Sequence, residues 1–395
     1  MFKNILISGL LCTLLSAESF DTFLQRAIQN SPYLESSALS VKQAKEQSSA
    51  ITRYANPTLE LEYSDFNPDA GSSDDGYRIN ISQPIRLWGV GNARDNLANT
   101  TTKNADANYA QNKAIFVRNI STAYTEYANK KMLVDLGKQE LYIAKTIYDI
   151  SSSRYEAGTI SRGVMLQAKI DYEMVQINNE NLALSATQSY YKLLKLSAIN
   201  EEIELDDKHS FSLYSSDTLH VEQDLSNNPN LMVLKSQQDT ALAQAMLDTN
   251  KVEWMNVFAE FESEPDQDIT RFGVNFPLAI FNTKSQEVQI AKLQSEKASL
   301  LIDNQETKLN ITMSRLQKER ASLEILQSKN QEILSSEIEL LKMFQDGYKI
   351  ANINLLQLQD IKNKVISTKK SLIQIKTALD KNAIIQNYNQ GQYND

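Results

Sequence analysis

The sequence predicts a mainly α-helical chain with a small antiparallel β part, in which one helix–strand–strand–long helix–helix unit occurs twice. Three observations carry this. A strand-like stretch, Arg78-Ile-Asn-Ile-Ser-Gln-Pro84-Ile85, returns as Arg271-Phe-Gly-Val-Asn-Phe-Pro277-Leu278, an offset of 193 residues. Each copy alternates polar and apolar residues, the period of a strand with one wet and one apolar face. The seven prolines stand at 32, 57, 68, 84, 229, 265 and 277, so none falls in 85–228 or 278–395, and these two intervals carry long helices. Finally, Tyr155-Glu-Ala-Gly158 returns as Phe344-Gln-Asp-Gly347 at an offset of 189, which marks an internal duplication.

The elements follow in order. Met1 to Ala17 has a lysine near its start, an apolar core over Ile5–Leu15 and a small-residue exit, so 1–17 reads as a signal peptide cleaved after Ala17. The only cysteine, Cys12, lies in that core after Leu11, not after the small residue a lipid-attachment site prefers, and the mature chain has no thiol. Helix is predicted over 18–55, with Ser19 and Asp21 capping its start and a break at Asn30-Ser31-Pro32. Strands 58–64 and 77–83 form a hairpin around an Asp-, Gly- and Ser-rich loop, each proline closing its strand. Long helices 88–154 and 162–199 flank Gly158, and 200–220 is acidic and irregular. The second round starts at Asn228-Pro229, with a helix over 229–251 and strands 254–262 and 269–276. Helices 282–345 and 351–386 follow, separated at Gly347, and 387–395 is expected to be a structureless polar tail. The repeats are thus 18–220 and 221–386. Ile302, Leu309, Leu316 and Leu323, then Leu326, Ile333 and Leu340, and Leu358, Val365, Leu372 and Leu379 recur every seven residues, the period of coiled packing.

Composition narrows the function. A net charge of −9, with a pI near 5.1, argues against a nucleic-acid partner. A mean hydropathy of −0.41 argues against a helical membrane protein. There is no nucleophile motif, phosphate loop or paired histidine, so no enzyme, cofactor or bound metal is expected. His209 and His220, the only histidines, read as surface residues of the acidic linker.

The strand faces say more. Leu59, Leu61, Tyr63, Tyr77, Ile79, Ile81, Val257, Ala259, Phe261, Phe272, Val274 and Phe276 share one face by alternation. Glu60, Glu62, Arg78, Asn80, Ser82, Glu260, Glu262, Arg271 and Asn275 share the other. Such strands fit the wall of a transmembrane β-barrel, with Trp254, Tyr63, Tyr77 and Trp88 at its interfaces. The alternative is a soluble sheet covered by a helix. Four strands cannot close a barrel, and lipid tolerates no open edge, so several chains contribute. Two would fill their lumen with side chains and three would leave a wet passage, which the polar face favours.

These features together resemble the outer-membrane efflux proteins of the TolC family. The likeness rests on the duplicated strand-Pro-helix joints and on the turns Tyr155–Ser161 with Leu166-Gln167-Ala168, and Phe344–Gly347 with Leu355-Leu356-Gln357. It implies a homotrimer with a 12-stranded barrel continued by a helical periplasmic barrel, whose tips meet a periplasmic adaptor (membrane fusion protein) and an inner-membrane pump. Tyr155, Gly158, Ser161, Phe344 and Gly347 would then form the tips, and Glu60, Glu62, Arg78, Glu260 and Arg271 the barrel lumen. Asn56-Pro57-x-Leu59-Glu60 and Ile81-Ser-Gln-Pro84-Ile85-x-Leu87 resemble the cobalt-zinc-cadmium/copper resistance branch, although Trp88-Gly89-Val90-Gly91 departs from that branch's glycine pair and basic residues. Where some relatives ring the constriction with acids, this chain has Asn354 and Gln357, with Asp346 and Asp360 nearby. The expected function is a passive duct for metal cations in the outer membrane, embedded in its lipid and extending into the periplasm. Drug efflux, type I protein secretion and a periplasmic coiled-coil adaptor are the alternatives. Eight acids around the two hairpins, Asp65, Asp69, Asp74, Asp75, Glu262, Glu264, Asp266 and Asp268, would crowd the outer mouth and favour cations, or serve only loop solubility.

Overall fold

The computed structural model describes residues 17–67, 73–213, 225–350 and 352–393. Residues 1–16, with Cys12, and also Asp69 and His220 lie outside the described residues. Two helices open the chain, α1 (Phe20–Asn30) and α2 (Pro32–Thr52). Ser19 caps α1, its Oγ accepting from the Thr22 amide. Strands β1 (Thr58–Phe66) and β2 (Asp74–Arg86) precede α3 (Val90–Glu156) and α4 (Arg162–Ser197). The second round is α5 (Pro229–Asp248), β3 (Trp254–Glu264), β4 (Gln267–Asn275), α6 (Ser285–Lys349) and α7 (Leu355–Asn389). The 67 residues of α3 and 65 of α6 make each roughly 100 Å long at 1.5 Å per residue.

The chain divides into two compact units. One takes Met1–Pro32, Ala114–Asp224 and Asn310–Asp395, and the other takes Tyr33–Lys113 and Leu225–Leu309. Each sequence repeat therefore contributes to both units. The second unit holds the sheet, with order β1-β2-β3-β4 and every neighbour antiparallel. It also holds the cluster of Val90, Ala93, Leu97, Ala243 and Leu247, which packs α3 on α5.

The strands run further than alternation predicted. Asp65, Asp74, Asp75, Glu264 and Asp268 lie within strands, and Pro265 and Asp266 alone turn β3 into β4. Nor does Pro84 close β2, where it stands opposite Asn256. The β1–β2 ladder stops at Thr58 and Ser82. Beyond Ser82 the strand has a neighbour on one side only, where a missing amide donor is tolerated.

The first unit corrects the chain's end. The tail begins inside α7, and Asn387, Tyr388 and Asn389 are buried. Asn387 Nδ2 donates to the Ser212 carbonyl (2.9 Å) and the Arg118 guanidinium lies over the Tyr388 ring. These amides find partners across the packing, which a hydropathy pattern does not register. His209 is not a free surface residue either, since its ring stands 4.7 Å from those of Phe20 and Phe211. Ile302, Leu309 and Leu316 are buried as expected, whereas Leu326, Ile333 and Leu340 are exposed. The inward stripe of α6 instead continues through Leu341 and Tyr348.

Candidate functional site

Two regions merit attention, each within its own unit. The first is the sheet. Its register pairs Leu59 with Ile81, Leu61 with Ile79, Ala259 with Phe272 and Val257 with Val274. Apolar residues thus meet apolar residues across every ladder. Leu61, Phe272 and Val274 remain 69%, 80% and 59% exposed. A soluble sheet with a covering helix would bury them, so that alternative fails.

The polar face is an ion ladder. Glu62 and Glu262 both stand opposite Arg78, and Glu260 stands opposite Arg271. Arg78 donates to Glu62, and Arg271 to Glu260 and Glu262. Asn80 Nδ2 reaches Glu60 at 3.2 Å. Glu60, Glu62, Arg78, Glu260 and Arg271 are therefore brought together, as alternation predicted. Phe258 was missed: it stands on this polar face, its ring over Gly273.

Where the strands meet the helices, Arg86 and Arg94 complete α2. Arg94 Nη1 donates to the Ile51 carbonyl (2.9 Å) and Arg86 Nη2 to those of Thr52 and Arg53, satisfying carbonyls a helix end leaves free. Glu253 accepts from Arg94 and from Lys284 Nζ. Burial alone would raise the Glu253 pKa, but these two cations outweigh it and hold the carboxyl below its usual range. The guanidinium groups of Arg86 and Arg94 both lie over the Trp254 ring, 5.2 and 5.5 Å from its centroid.

The second region is the pair of helix turns. Gly158 has φ 71°, and the Thr159 amide donates back to the Arg154 carbonyl (2.9 Å). A left-handed residue after a helix favours glycine. Ser161 caps α4, accepting from Val164, and Tyr155 is exposed. Gly347 plays a different part. It does not interrupt α6, which runs on to Lys349, and its φ is not positive. A Cβ there would stand 2.6 Å from Ile353 Cγ1. The glycine thus lets the returning chain approach, and the Asn352 amide donates to its carbonyl (2.9 Å). We expect Gly347→Ala to cost about 1–3 kcal/mol by overpacking, measured by urea unfolding, with Ile353→Ala in the same chain recovering part of the loss.

Asn354 and Gln357 form a reciprocal capping box for α7, Gln357 N to Asn354 Oδ1 (2.8 Å) and Asn354 N to Gln357 Oε1 (3.2 Å). Asp346 pairs with Lys349 and Asp360 with Lys364, both at exposed positions. Phe344 is partly buried against a cluster that joins the two turns and includes Ile147, Ala168, Leu341, Tyr348, Leu355 and Leu358. Ser151 Oγ and Tyr348 Oη are 2.8 Å apart, and Arg154 Nη1 donates to the Tyr348 carbonyl (2.9 Å).

Sequence inspection missed one charged group. Lys362 is fully buried, its Nζ 3.0 and 2.7 Å from the two Asp171 oxygens. Burial, with the nearby Asp171 charge, raises the pKa of Glu140 despite the opposing Lys362 charge. Among the described residues, no group of three His, Cys, Asp or Glu could hold a metal ion. Among them, too, no helix is long and apolar enough to cross a membrane, a criterion that does not address a β-barrel.

The outer membrane efflux protein family model matches residues 23–198. No curated protein sequence matches the chain. Solved structures share the fold over nearly the whole length. CusC matches with a TM-score of 0.78 at 15% identity, covering 94% of this chain and 91% of CusC. VceC of Vibrio cholerae matches at 0.75 and 14%, covering 94% and 95%. The CmeC outer membrane channel of Campylobacter jejuni matches at 0.73 and 15%, covering 95% and 87%.

Proposed function

We infer from the match over residues 23–198, and from a fold shared almost end to end with solved outer-membrane channels, that this chain is an outer membrane efflux protein of the TolC family. We propose that it is the exit duct of a tripartite efflux system, working as a homotrimer with a periplasmic adaptor and an inner-membrane pump. It lies in the outer membrane, extends into the periplasm and performs no chemistry on its cargo. The carrying observation is the sheet, with an apolar face left open along four strands and edges at β1 and β4 that have no partner among the described residues. Lipid tolerates the first and forbids the second, so three copies close a twelve-stranded wall.

The cargo we propose is metal cations. Supporting this, the polar strand face holds four acids, Glu60, Glu62, Glu260 and Glu262, against Arg78 and Arg271. A trimer repeats that excess around the passage and concentrates cations there. In this reading Tyr155, Gly158, Ser161, Phe344 and Gly347 shape the tips that meet the adaptor. Asn354, Gln357, Asp346 and Asp360 stand at the constriction, and the capping box leaves the asparagine and glutamine as a weak, uncharged ring.

Deleting the gene tests the cargo. Metal tolerance is expected to fall and to return when the chain is restored. Unchanged metal tolerance with lost drug tolerance would assign the duct to drugs. Purified trimers in a planar bilayer should pass cations over anions, and Glu60→Lys with Glu62→Lys should shift the reversal potential toward anions. Recovery of the chain as a soluble periplasmic monomer would overturn the duct altogether.

A further inference from the structure

The four strands hold two glycines, Gly76 and Gly273. Neither has a positive φ, so no left-handed backbone requires them. A glycine inside a strand weakens it and marks a place where something approaches closely. Here that is a phenylalanine ring each time. A Cβ at Gly76 would stand 2.8 Å from Phe66 Cε2, and one at Gly273 would stand 2.6 Å from Phe258 Cζ. By alternation all four residues lie on the face of the ion ladder. The lumen face of a membrane barrel is polar, so two phenylalanines there, each over a glycine, call for an account.

Phe258 stands opposite Ser82 on one side and Gly273 on the other. Two residues along, about 7 Å away, Glu260 faces Asn80 and Arg271 in the ladder. Phe258 is thus the next rung toward the helices. Its ring is half-buried and lies across β4, with its far end over the glycine. Gly273 is the recess that lets the ring lie against the wall. A methyl group there would meet only the tip of a flexible side chain, so the ring would lift while the backbone stays. At Gly76 the Ser263 carbonyl oxygen would also lie 2.9 Å from a Cβ, so that site does not yield in the same way.

We propose that Phe258, seated on Gly273, determines the width of the passage beside the ion ladder and so selects cargo by size. With the rings of three copies lying against the wall, small hydrated cations pass and bulky molecules are slowed. The proposal rests on the trimeric duct and cation cargo proposed above and deepens that reading.

Cys12 is the only cysteine, so a single reporter thiol can be placed in a Cys12→Ser chain. Asn275→Cys puts it on the polar face past Phe258, and Ser64→Cys puts it on the same face toward the hairpins. Intact cells are treated with maleimides carried on polymers too large for the general pores of the outer membrane. The largest polymer that labels Ser64→Cys is then applied to Asn275→Cys. Relative to Ser64→Cys, labelling of Asn275→Cys should be about threefold faster in Phe258→Ala and about threefold slower in Gly273→Ala. Phe258→Ala in the Gly273→Ala chain should restore the fast rate. Rates that neither substitution changes would overturn the proposal and leave the ring as strand packing alone. Slowing by Gly273→Ala that Phe258→Ala does not reverse would overturn it too, since the ring would not be the obstacle. Failure of Ser64→Cys to react with a maleimide of any size would instead overturn the duct reading, because the polar face would not line a passage.

Discussion

Lys362→Ala is expected to destabilise the protein by about 3–5 kcal/mol, because removing one partner of a buried ion pair strands the other. The lysine is fully buried in α7, and its two short bonds go to Asp171 of α4. With the lysine gone, Asp171 faces Glu140 of α3, whose carboxyl is already poor at ionising there. A quarter of the Asp171 side chain remains exposed, so water recovers part of the loss and the lower end of the range applies. Urea unfolding of the solubilised protein measures this. Asp171→Asn combined with Lys362→Met should recover most of the stability, since a neutral pair of similar size removes the uncompensated charge. A loss below about 1 kcal/mol for the alanine variant would mean that the pair contributes no more than an exposed one.

Val274→Lys should cost about 2–4 kcal/mol if the residue lies near the bilayer midplane. Val274 is exposed on the apolar face opposite Val257, and no side chain of its own sheet could neutralise a lysine there. Asn275→Lys, one residue along and on the polar face, should cost little. Refolding into vesicles measures both, and equal costs would mean that the faces are assigned the wrong way round.

Much of this was legible because alternation and repetition are local signals. Leu59, Leu61, Ile79, Ile81, Phe272 and Val274 declare a face by their spacing alone, and the register aligns them as the spacing requires. The turn at Gly158 was equally plain. Gly347 resembled it in sequence but answers to Ile353, a contact that no glycine count reveals. Lys362 was invisible for a related reason: a lysine in a helix reads as solvated until a second helix brings Asp171 to it. The extra strand length, Asp65 and Asp74 included, was missed because aspartate is a turn former by propensity, and ladder pairing overrode that preference. The end of α7 failed similarly, since buried asparagines depend on distant acceptors such as the Ser212 carbonyl.

The two unpaired edges have a genetic consequence. In the proposed trimer, a wall completed by three identical copies is only as sound as its worst seam. A chain whose β1 edge is broken, by a proline at Glu60 for instance, still offers an intact β4 and can join two healthy copies. In a cell making equal amounts of both, only about one trimer in eight contains no defective member under random mixing. Such an allele would therefore be dominant over the normal gene, whereas a null allele would be recessive.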